Sequence, residues 1–572
     1  MYKLLFGCGF LLLITLSSPI NASTYFVPDD FATIQDAING CANGATIIVR
    51  PGKYYENIDF VGKAITVKSE LGAAVTTIDG NQAGSVVKFQ TGEGLDSILE
   101  GFTITNGMAP EGGGIYCINS APEIRGNTIL MNTAKANGSP SCGGGIFSKN
   151  SAPNINDNKI LENTAGGFVY DYSYGGGICC MYSSPNIHGN RIARNISKNY
   201  ERAYGGGIYC SYADHTTVVI TNNTISQNEV IGEWAYGGGI HCNARSAILR
   251  GNIVLKNLAK ASDHGDGAVS EYGGIYCGGD LSSRYVIVGN IVAKNAATTG
   301  HDNGDCEIIC RLGGLVIGGI QEAIVVNNTV FDNKGDYSSS SFPDPWEGNG
   351  IYTNCKNTTI INCIVWGNES WGMPGGQCWN QITGGGGGKA IFCDVEGGHY
   401  GKGNIDTDPL FVDPDLDDFH LMWDSPCRNT GTNLAIPSVV PYDFEGDPRI
   451  CHGMIDMGAD EFHTHLYHTG DVLPGSPIDV KVIGDPGITP VTLAVGLGIQ
   501  DPPQSTPCGD LYLLLPLDWK PEIGTIPTTG VLIYTDTVPL HWLPGQEYPF
   551  QALLGPLASG SELTNLMLIT VE

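Results

Sequence analysis

Between residues 112 and 355 short runs of alternating apolar and polar positions recur at a regular interval. Glycines lead into each run and a pair of asparagines follows it. The first copy reads Gly112-Gly-Gly-Ile115-Tyr-Cys117, then Ile124-Arg-Gly-Asn127-Thr-Ile129-Leu-Met-Asn132. Aligning Ile115, Ile146, Ile178, Ile208, Ile240, Ile275, Leu315 and Ile351 gives steps of 31, 32, 30, 32, 35, 40 and 36 residues. Alternation with period two and β-branched residues predicts short strands, in which the isoleucine and the residue two positions on face the same side. A near-constant interval of this size predicts stacked coils rather than a folded-back globule. The expected architecture is all-β: a parallel β-helix with three strands per coil, each coil rising about 4.8 Å. Asparagine tolerates left-handed backbone and bonds neighbours above and below it. Pairs such as Asn127/Asn132 and Asn158/Asn163 are therefore read as bends, not as a site.

The flanks carry other patterns. Phe31, Ile34, Ala37, Ile38 and Cys41 fall on one helical face, with Asp29 and Asp30 where a helix start favours acids. A cap helix over the open end of the solenoid is expected there. The last 110 residues hold 14 of the 31 prolines but only 12 of the 80 glycines, and the repeat is gone. Alternating runs at Ile478–Ile483, Val491–Val495, Leu511–Leu515, Val531–Tyr534 and Leu566–Val571 predict a small β-sandwich. At the other terminus, Lys3, the apolar run Leu4–Leu16 and the sequence Ile20-Asn-Ala22 predict a secretory signal cleaved near Ala22. No later stretch is long and apolar enough to span a bilayer. The expected organisation is 1–22 signal, 23–462 β-helix with cap and closing segment, and 463–572 β-sandwich, in a secreted or cell-surface protein.

A formal net charge of −29 argues against nucleic acid, which rewards lysine and arginine clusters. It also disfavours polyanionic glycans unless a divalent cation bridges the two surfaces, so neutral polymers are easier partners. Cys117, Cys180, Cys210, Cys242 and Cys277 share one repeat station, which predicts a buried column of thiols. Zinc would call for paired Cys-x-x-Cys units, and there are none. Cys306 with Cys310, and Cys427 with Cys451, are the candidate disulfides of an exported chain.

Tyr25-Phe-Val-Pro, Thr33-Ile-Gln-Asp-Ala-Ile38, Ile47-Ile-Val-Arg-Pro-Gly52-Lys-Tyr and Gly101-Phe-Thr-Ile-Thr-Asn-Gly107 together resemble the opening of pectin-lyase-like, right-handed parallel β-helix proteins. The resemblance spans about residues 24–462. Thr407-Asp-Pro-Leu-Phe-Val-Asp-Pro414, Asp418-Phe-His-Leu421, Asp443-Phe-Glu-Gly-Asp-Pro-Arg449 and Asp456-Met-Gly-Ala-Asp-Glu-Phe462 resemble the closing segment of secreted bacterial members. The run from Asp413 to Asp418 is read as a turn or closing cap. The resemblance implies the fold and a polysaccharide-directed role. The family contains lyases, polygalacturonases and pectin methylesterases, yet the Asn-x-Asp, Asp-Asp and Gly-His-Gly set is absent, as is Leu-Gly-Arg-x-Trp. It thus leaves open whether the chain is an enzyme and, if so, whether a hydrolase or a lyase.

Two constellations carry candidate chemistry. Segments after the second asparagine lengthen in later coils and bring in His264 and Asp266, then His301, Asp302 and Asp305. Counting from Asn257 and Asn295, the two histidines fall at similar stations, so these five residues are the candidate acid/base set for glycosidic cleavage. Asp263, Asp266, Asp302, Asp305 and Glu307 are the candidate metal ligands, suited to calcium, with zinc the alternative where the histidines join. The second constellation is aromatic: Tyr174, Tyr204 and Tyr236 each precede a Gly-Gly-Gly, Tyr272 nearly does, and Trp234 lies close by. Read as a bare strip, the stacked glycines would floor a groove in which these rings grip a linear, mostly neutral polysaccharide or cell-surface glycan. The rival expectation is a non-catalytic surface or matrix protein with the solenoid as spacer or adhesin. A monomer is expected in either case.

Overall fold

The computed structural model describes residues 23–462 apart from 168–171, 263–268, 299–308, 312, 337–349, 356, 372–380, 385–388, 434–441 and 451–452, and the backbone of the strands between 465 and 570. The expected signal, residues 1–22, lies outside the described residues. No helix among the described residues is long and apolar enough to cross a membrane.

Three apolar columns build the solenoid core. Ile115, Ile146, Ile178, Ile208, Ile240, Ile275, Leu315, Ile351 and Ile382 pair in parallel register from coil to coil. A second column runs Ile124, Ile155, Ile187, Ile220, Leu249, Ile287, Val325 and Ile360. The third runs Ile129, Ile160, Ile192, Ile225, Val254, Val292, Val330 and Val365. Strands of the first two columns join in one 22-stranded sheet, and those of the third form a 12-stranded sheet on the short side. These side chains are buried in one continuous cluster. The period-two alternation aims them inward, and the near-constant repeat length puts like on like.

The asparagines hold the corners between columns. In Asn132, Asn163, Asn195, Asn228, Asn257, Asn295, Asn333 and Asn368 each side chain but the last donates from Nδ2 to the next Oδ1 at 2.8–3.0 Å. Gln381 takes the final rung, its Oε1 accepting from Asn368 Nδ2 at 2.7 Å. A parallel ladder runs from Asn127 to Asn328 and then changes residue type: Asn328 N–H meets Cys363 Sγ at 3.4 Å, and Cys363 N–H meets Cys393 Sγ at 3.4 Å. The bends held by these two ladders thus have their polar groups bonded inside the stack.

Three strands per coil surround the core as expected, but most coils hold two more. After the second asparagine the chain leaves the core, for example through Ile196–Lys198, and returns through Arg202–Tyr204 before the next glycines. The outgoing strands stack into a nine-stranded parallel sheet and the returning ones into a six-stranded sheet. Ala203, Val230, Ala235, Ala259 and Ala297 form a small separate core between them. This arm escaped the periodicity because the returning strands Tyr172–Tyr174, Arg202–Tyr204, Trp234–Tyr236 and Val269–Glu271 each bury one small residue, which gives no alternation to read.

The cap helix spans Ile34–Gly40 and buries Ile34, Ala37 and Ile38. Its start is held differently from expectation. Thr33 caps it, accepting from Asp36 N–H at 3.0 Å, and the Glu56 carboxylate accepts from Ile34 N–H and Gln35 N–H at 2.9 Å each. Asp30 instead accepts from Phe26 N–H in the preceding turn, and Asp29 pairs with Arg50. Glu56→Ala should cost about 1–2 kcal/mol by orphaning two helix donors. Faster hydrogen exchange at the Ile34 and Gln35 amides, with the coils beyond residue 112 unchanged, is the expected readout.

The thiol column is present. Cys180, Cys210, Cys242 and Cys277 are in register, and all twelve described cysteines are buried and free. Cys427 is among them, its thiol donating to Asp394 Oδ2 at 3.2 Å, which corrects the expected Cys427–Cys451 bridge. Cys306 and Cys451 lie outside the described residues. Burial pushes the Cys117 thiol up to about 12, so it is protonated and unreactive at pH 8. Aromatic disulfide reagents should therefore leave Cys117 and its column unmodified in native protein at pH 8 and titrate them after denaturation.

The closing segment is a plate laid on the side of the solenoid. Phe411, Phe419, Leu421, Met457 and Ala459 pack on Leu255, Ile291, Ala293 and Ile364 of the short-side sheet. The expected turn is a 3-10 helix at Pro414–Leu416, pinned by Asp417 to Lys256 at 2.6 Å and to Lys294 at 2.9 Å. Beyond residue 464 parallel pairing gives way to antiparallel strands, among them Pro477–Ile483 against Val531–Thr537 and Val491–Val495 against Glu547–Leu554.

Candidate functional site

The arm bends away from the long sheet, and aromatic side chains fill the angle between them. On the returning strands the small middle residue faces the arm core, so its two neighbours face the angle. Tyr174, Tyr204 and Tyr236 pair in register and stack, with centroids 5.3 and 5.2 Å apart and planes within 15° and 20°. Opposite them stands a column from the long sheet, the residue between each inward isoleucine and cysteine: Tyr116, Phe147, Cys179, Tyr209, His241 and Tyr276. Tyr174 meets Tyr209 at 4.7 Å, and Tyr204 meets His241 edge-on at 5.3 Å. The outer station of the returning strands holds Tyr172, Arg202 and Trp234. The Arg202 guanidinium carbon lies 3.9 Å from the Trp234 ring centroid and 5.7 Å from that of Tyr172. One cation is thus sandwiched between two aromatic rings, and its Nε is buried without a hydrogen-bond partner.

Two features differ from the sequence expectation. The glycines are not a bare strip: Gly205, Gly206 and Gly207 and their counterparts are buried. They form the neck where the arm rejoins the core, pressed against backbone of the outgoing strands and of the next coil. Tyrosine faces are not open either, because each ring in the row covers the next. What the row presents is ring edges and hydroxyls, a line of hydrogen-bonding groups beside the Tyr172–Arg202–Trp234 sandwich.

Tyr272 reaches the row from another station. Glu271 pairs with Tyr236, so Tyr272 stands where the other coils have their first glycine. It adopts φ 69°, a left-handed conformation costly for an aromatic residue. Its ring stacks on Tyr276 at 4.6 Å and ends the row 6.0 Å from Tyr236.

His241, 6% exposed between Tyr209 and Tyr276, has its pKa lowered to about 3 by burial, because the stack solvates an imidazolium poorly. The unfolded chain takes up that proton near pH 6.5 and the folded one does not. Stability from this group is therefore complete above pH 6.5 and falls as pH drops towards 3. About 2 kcal/mol should be lost between pH 7 and pH 5. His241→Phe should flatten the urea-midpoint-versus-pH profile by that amount.

Of the sequence candidates, Tyr174, Tyr204, Tyr236, Trp234 and Tyr272 are brought together on this face. Asp263, His264, Asp266, His301, Asp302, Asp305 and Glu307 lie outside the described residues. The strands that bound those segments are described: 263–268 fall between Leu258–Ala261 and Val269–Glu271, and Val269 pairs with Trp234. Sequence reasoning missed Arg202. Its signal was the aligned triplets Tyr172-Ser-Tyr174, Arg202-Ala-Tyr204 and Trp234-Ala-Tyr236.

Residues 75–292 match the family model described as right handed beta helix region. Among solved structures the chain is similar to a pectin methylesterase in complex with a hexasaccharide, at 10% identity and a TM-score of 0.21, covering 68% of this chain and 94% of that one. It is also similar to a PL6 family alginate lyase, at 11% identity and a TM-score of 0.22, covering 73% of this chain and 59% of that one. No curated protein matches the chain. By the match over residues 75–292 and the unbroken parallel register around it, the solenoid is a right-handed parallel β-helix.

Proposed function

We propose that the protein is exported and binds a linear, largely neutral polysaccharide lengthwise on the arm face. The Tyr172–Arg202–Trp234 sandwich, beside the in-register row of Tyr174, Tyr204 and Tyr236, is the observation that carries this reading. Sugar rings offer apolar faces and rims of hydroxyls. Trp234 supplies apolar surface, and Arg202 and the tyrosine hydroxyls supply donors and acceptors at a spacing fixed by the coil rise. If the bound chain is also cleaved, by hydrolysis or elimination, His264, Asp266, His301, Asp302 and Asp305 are the residues we assign to it, because Trp234 is paired to the foot of the first segment. Asp263 and Glu307 would join Asp266, Asp302 and Asp305 around a calcium ion. We assign residues 463–572 to a separate β-sandwich serving attachment.

Affinity electrophoresis and calorimetry against a polysaccharide panel, with and without calcium, test the reading. At least one neutral polysaccharide should bind, and Trp234→Ala or Arg202→Ala should weaken it about tenfold or more, the loss of one good contact of roughly 1.4 kcal/mol. No binding across the panel, or equal binding by both variants, sinks it and leaves the spacer or adhesin reading. Cleavage is scored separately by new reducing or unsaturated ends. It should vanish in the triple replacement of His264, His301 and Asp302, with binding retained.

A further inference from the structure

Far from the arm in sequence, the closing segment gathers a second set of chemistry-bearing side chains. His420 lies on the strand Asp418–Leu421. Glu445 belongs to a tight turn in which Asp443 Oδ1 accepts from the N–H groups of Glu445, Gly446 and Asp447 at 2.9 Å each. Asp460 follows in the last stretch before residue 463. One ligand atom from each of His420, Glu445 and Asp460 lies within 4.8 Å of the others.

The ring is oriented for ligation. His420 Nδ1 lies 2.6 Å from Asp418 Oδ1, which turns Nε2 towards Glu445 Oε2 at 2.9 Å. A carboxylate on one imidazole nitrogen with the other nitrogen facing further carboxylates is the arrangement that orients a metal-bound histidine. Asp460 adds an independent sign. It is 2% exposed, its Oδ2 accepts from Leu421 N–H at 2.8 Å, and its Oδ1 is buried with no hydrogen-bond partner. A carboxylate oxygen so placed lacks a donating neighbour. Charge points the same way: Asp418, Asp443, Glu445, Asp456, Asp460 and Glu461 gather around His420, Arg428 and Arg449. Glu445 is exposed and gives an ion a way in.

We propose that His420 Nε2, Glu445 and Asp460 bind one zinc-class divalent cation, with Asp418 orienting the imidazole. One nitrogen and two carboxylates suit zinc or a similar first-row ion better than calcium, which takes six to eight oxygens. The ion replaces the proton on Nε2 and completes the partners of Asp460 Oδ1. It ties together three separate stretches of the plate laid on the short-side sheet, and this role is independent of glycan binding.

The test uses the full mature chain, stripped with a chelator, dialysed, and titrated with zinc by calorimetry and with cobalt(II) as a visible-absorption probe. Zinc should raise the melting temperature, and cobalt should give a ligand-field band from a nitrogen–oxygen site. Glu445→Gln, which keeps the size and shape of the side chain in its turn, should lose one equivalent of zinc or weaken it at least tenfold and abolish the band. Asp418→Asn should weaken zinc about 10–100-fold while keeping its stoichiometry. Any ion held by the acidic segments near the arm would stay in both variants. Zinc uptake in Glu445→Gln equal to that of the parent, or stabilisation by calcium alone, overturns the assignment.

Discussion

Asn195→Ala is expected to lower global stability by roughly 3–5 kcal/mol, the cost of two or three buried polar groups left unsatisfied at about 1–3 kcal/mol each. Asn195 is fully buried, and its side chain serves four bonds. Nδ2 donates to Ile160 C=O at 2.8 Å and to Asn228 Oδ1 at 3.0 Å, while Oδ1 accepts from Asn163 N–H and from Asn163 Nδ2, both at 3.0 Å. Alanine removes all four. Because a solenoid is stabilised by nearest-neighbour interfaces, the damage should spread along the stack before it reaches the ends. A shifted urea midpoint, with loss of amide protection strongest in the coils on either side of residue 195, is the readout. Lys159→Ala, on an exposed position of the same sheet, should stay within about 0.5 kcal/mol of the parent. A drop for Asn195→Ala no larger than that of this control would mean that the ladder is ornament.

The ladder was legible because two periods coincide: alternation within strands and the near-constant step between coils. Together they assign Ile115, Ile124 and Ile129 to core columns, Cys117 to a buried station, and Asn127 and Asn132 to bends. What escaped lacks such a double signature. The helix start depends on Glu56, more than twenty residues from the amides it binds, while Asp29 and Asp30 only look well placed. Arg202 is a single cation whose meaning comes from Tyr172 and Trp234 in the coils before and after it. Ala203 and Ala235 are too small to announce the arm core. Tyr272 could be read as one more ring before the glycines, yet only the register shows that it has displaced one. The closing segment was legible as a motif but not as a place, since nothing local brings Asp460 to His420. Glycine is the sharpest case, because a missing side chain fits open surface and a backbone in contact equally well.

Gly206→Ala separates those two meanings. A Cβ on Gly206 would lie 2.5 Å from Gly238 O and 2.8 Å from Glu229 N and C, all backbone atoms that no rotamer change relieves. Clash of this kind, with the neck hydrogen bonds it disturbs, should cost about 3–5 kcal/mol. The effect should also be directional. The returning strand Arg202–Tyr204 enters the neck at Gly205, so displacing the neck breaks the 5.2 Å stack of Tyr204 on Tyr236 and moves Arg202 off Trp234. Polysaccharide affinity should then fall at least tenfold at temperatures where circular dichroism still shows an intact solenoid. Gly126→Ala is the matched comparison. Gly126 has φ 62° but open space around it, so alanine there should cost only about 1 kcal/mol, from backbone conformation alone, and leave binding untouched. If Gly206→Ala proved as mild as Gly126→Ala, the glycines would be surface after all and the arm would have another hinge. The tight neck instead makes the glycines the fixed joint of the arm, so the phrase that sets the repeat also sets the angle in which the aromatic row stands.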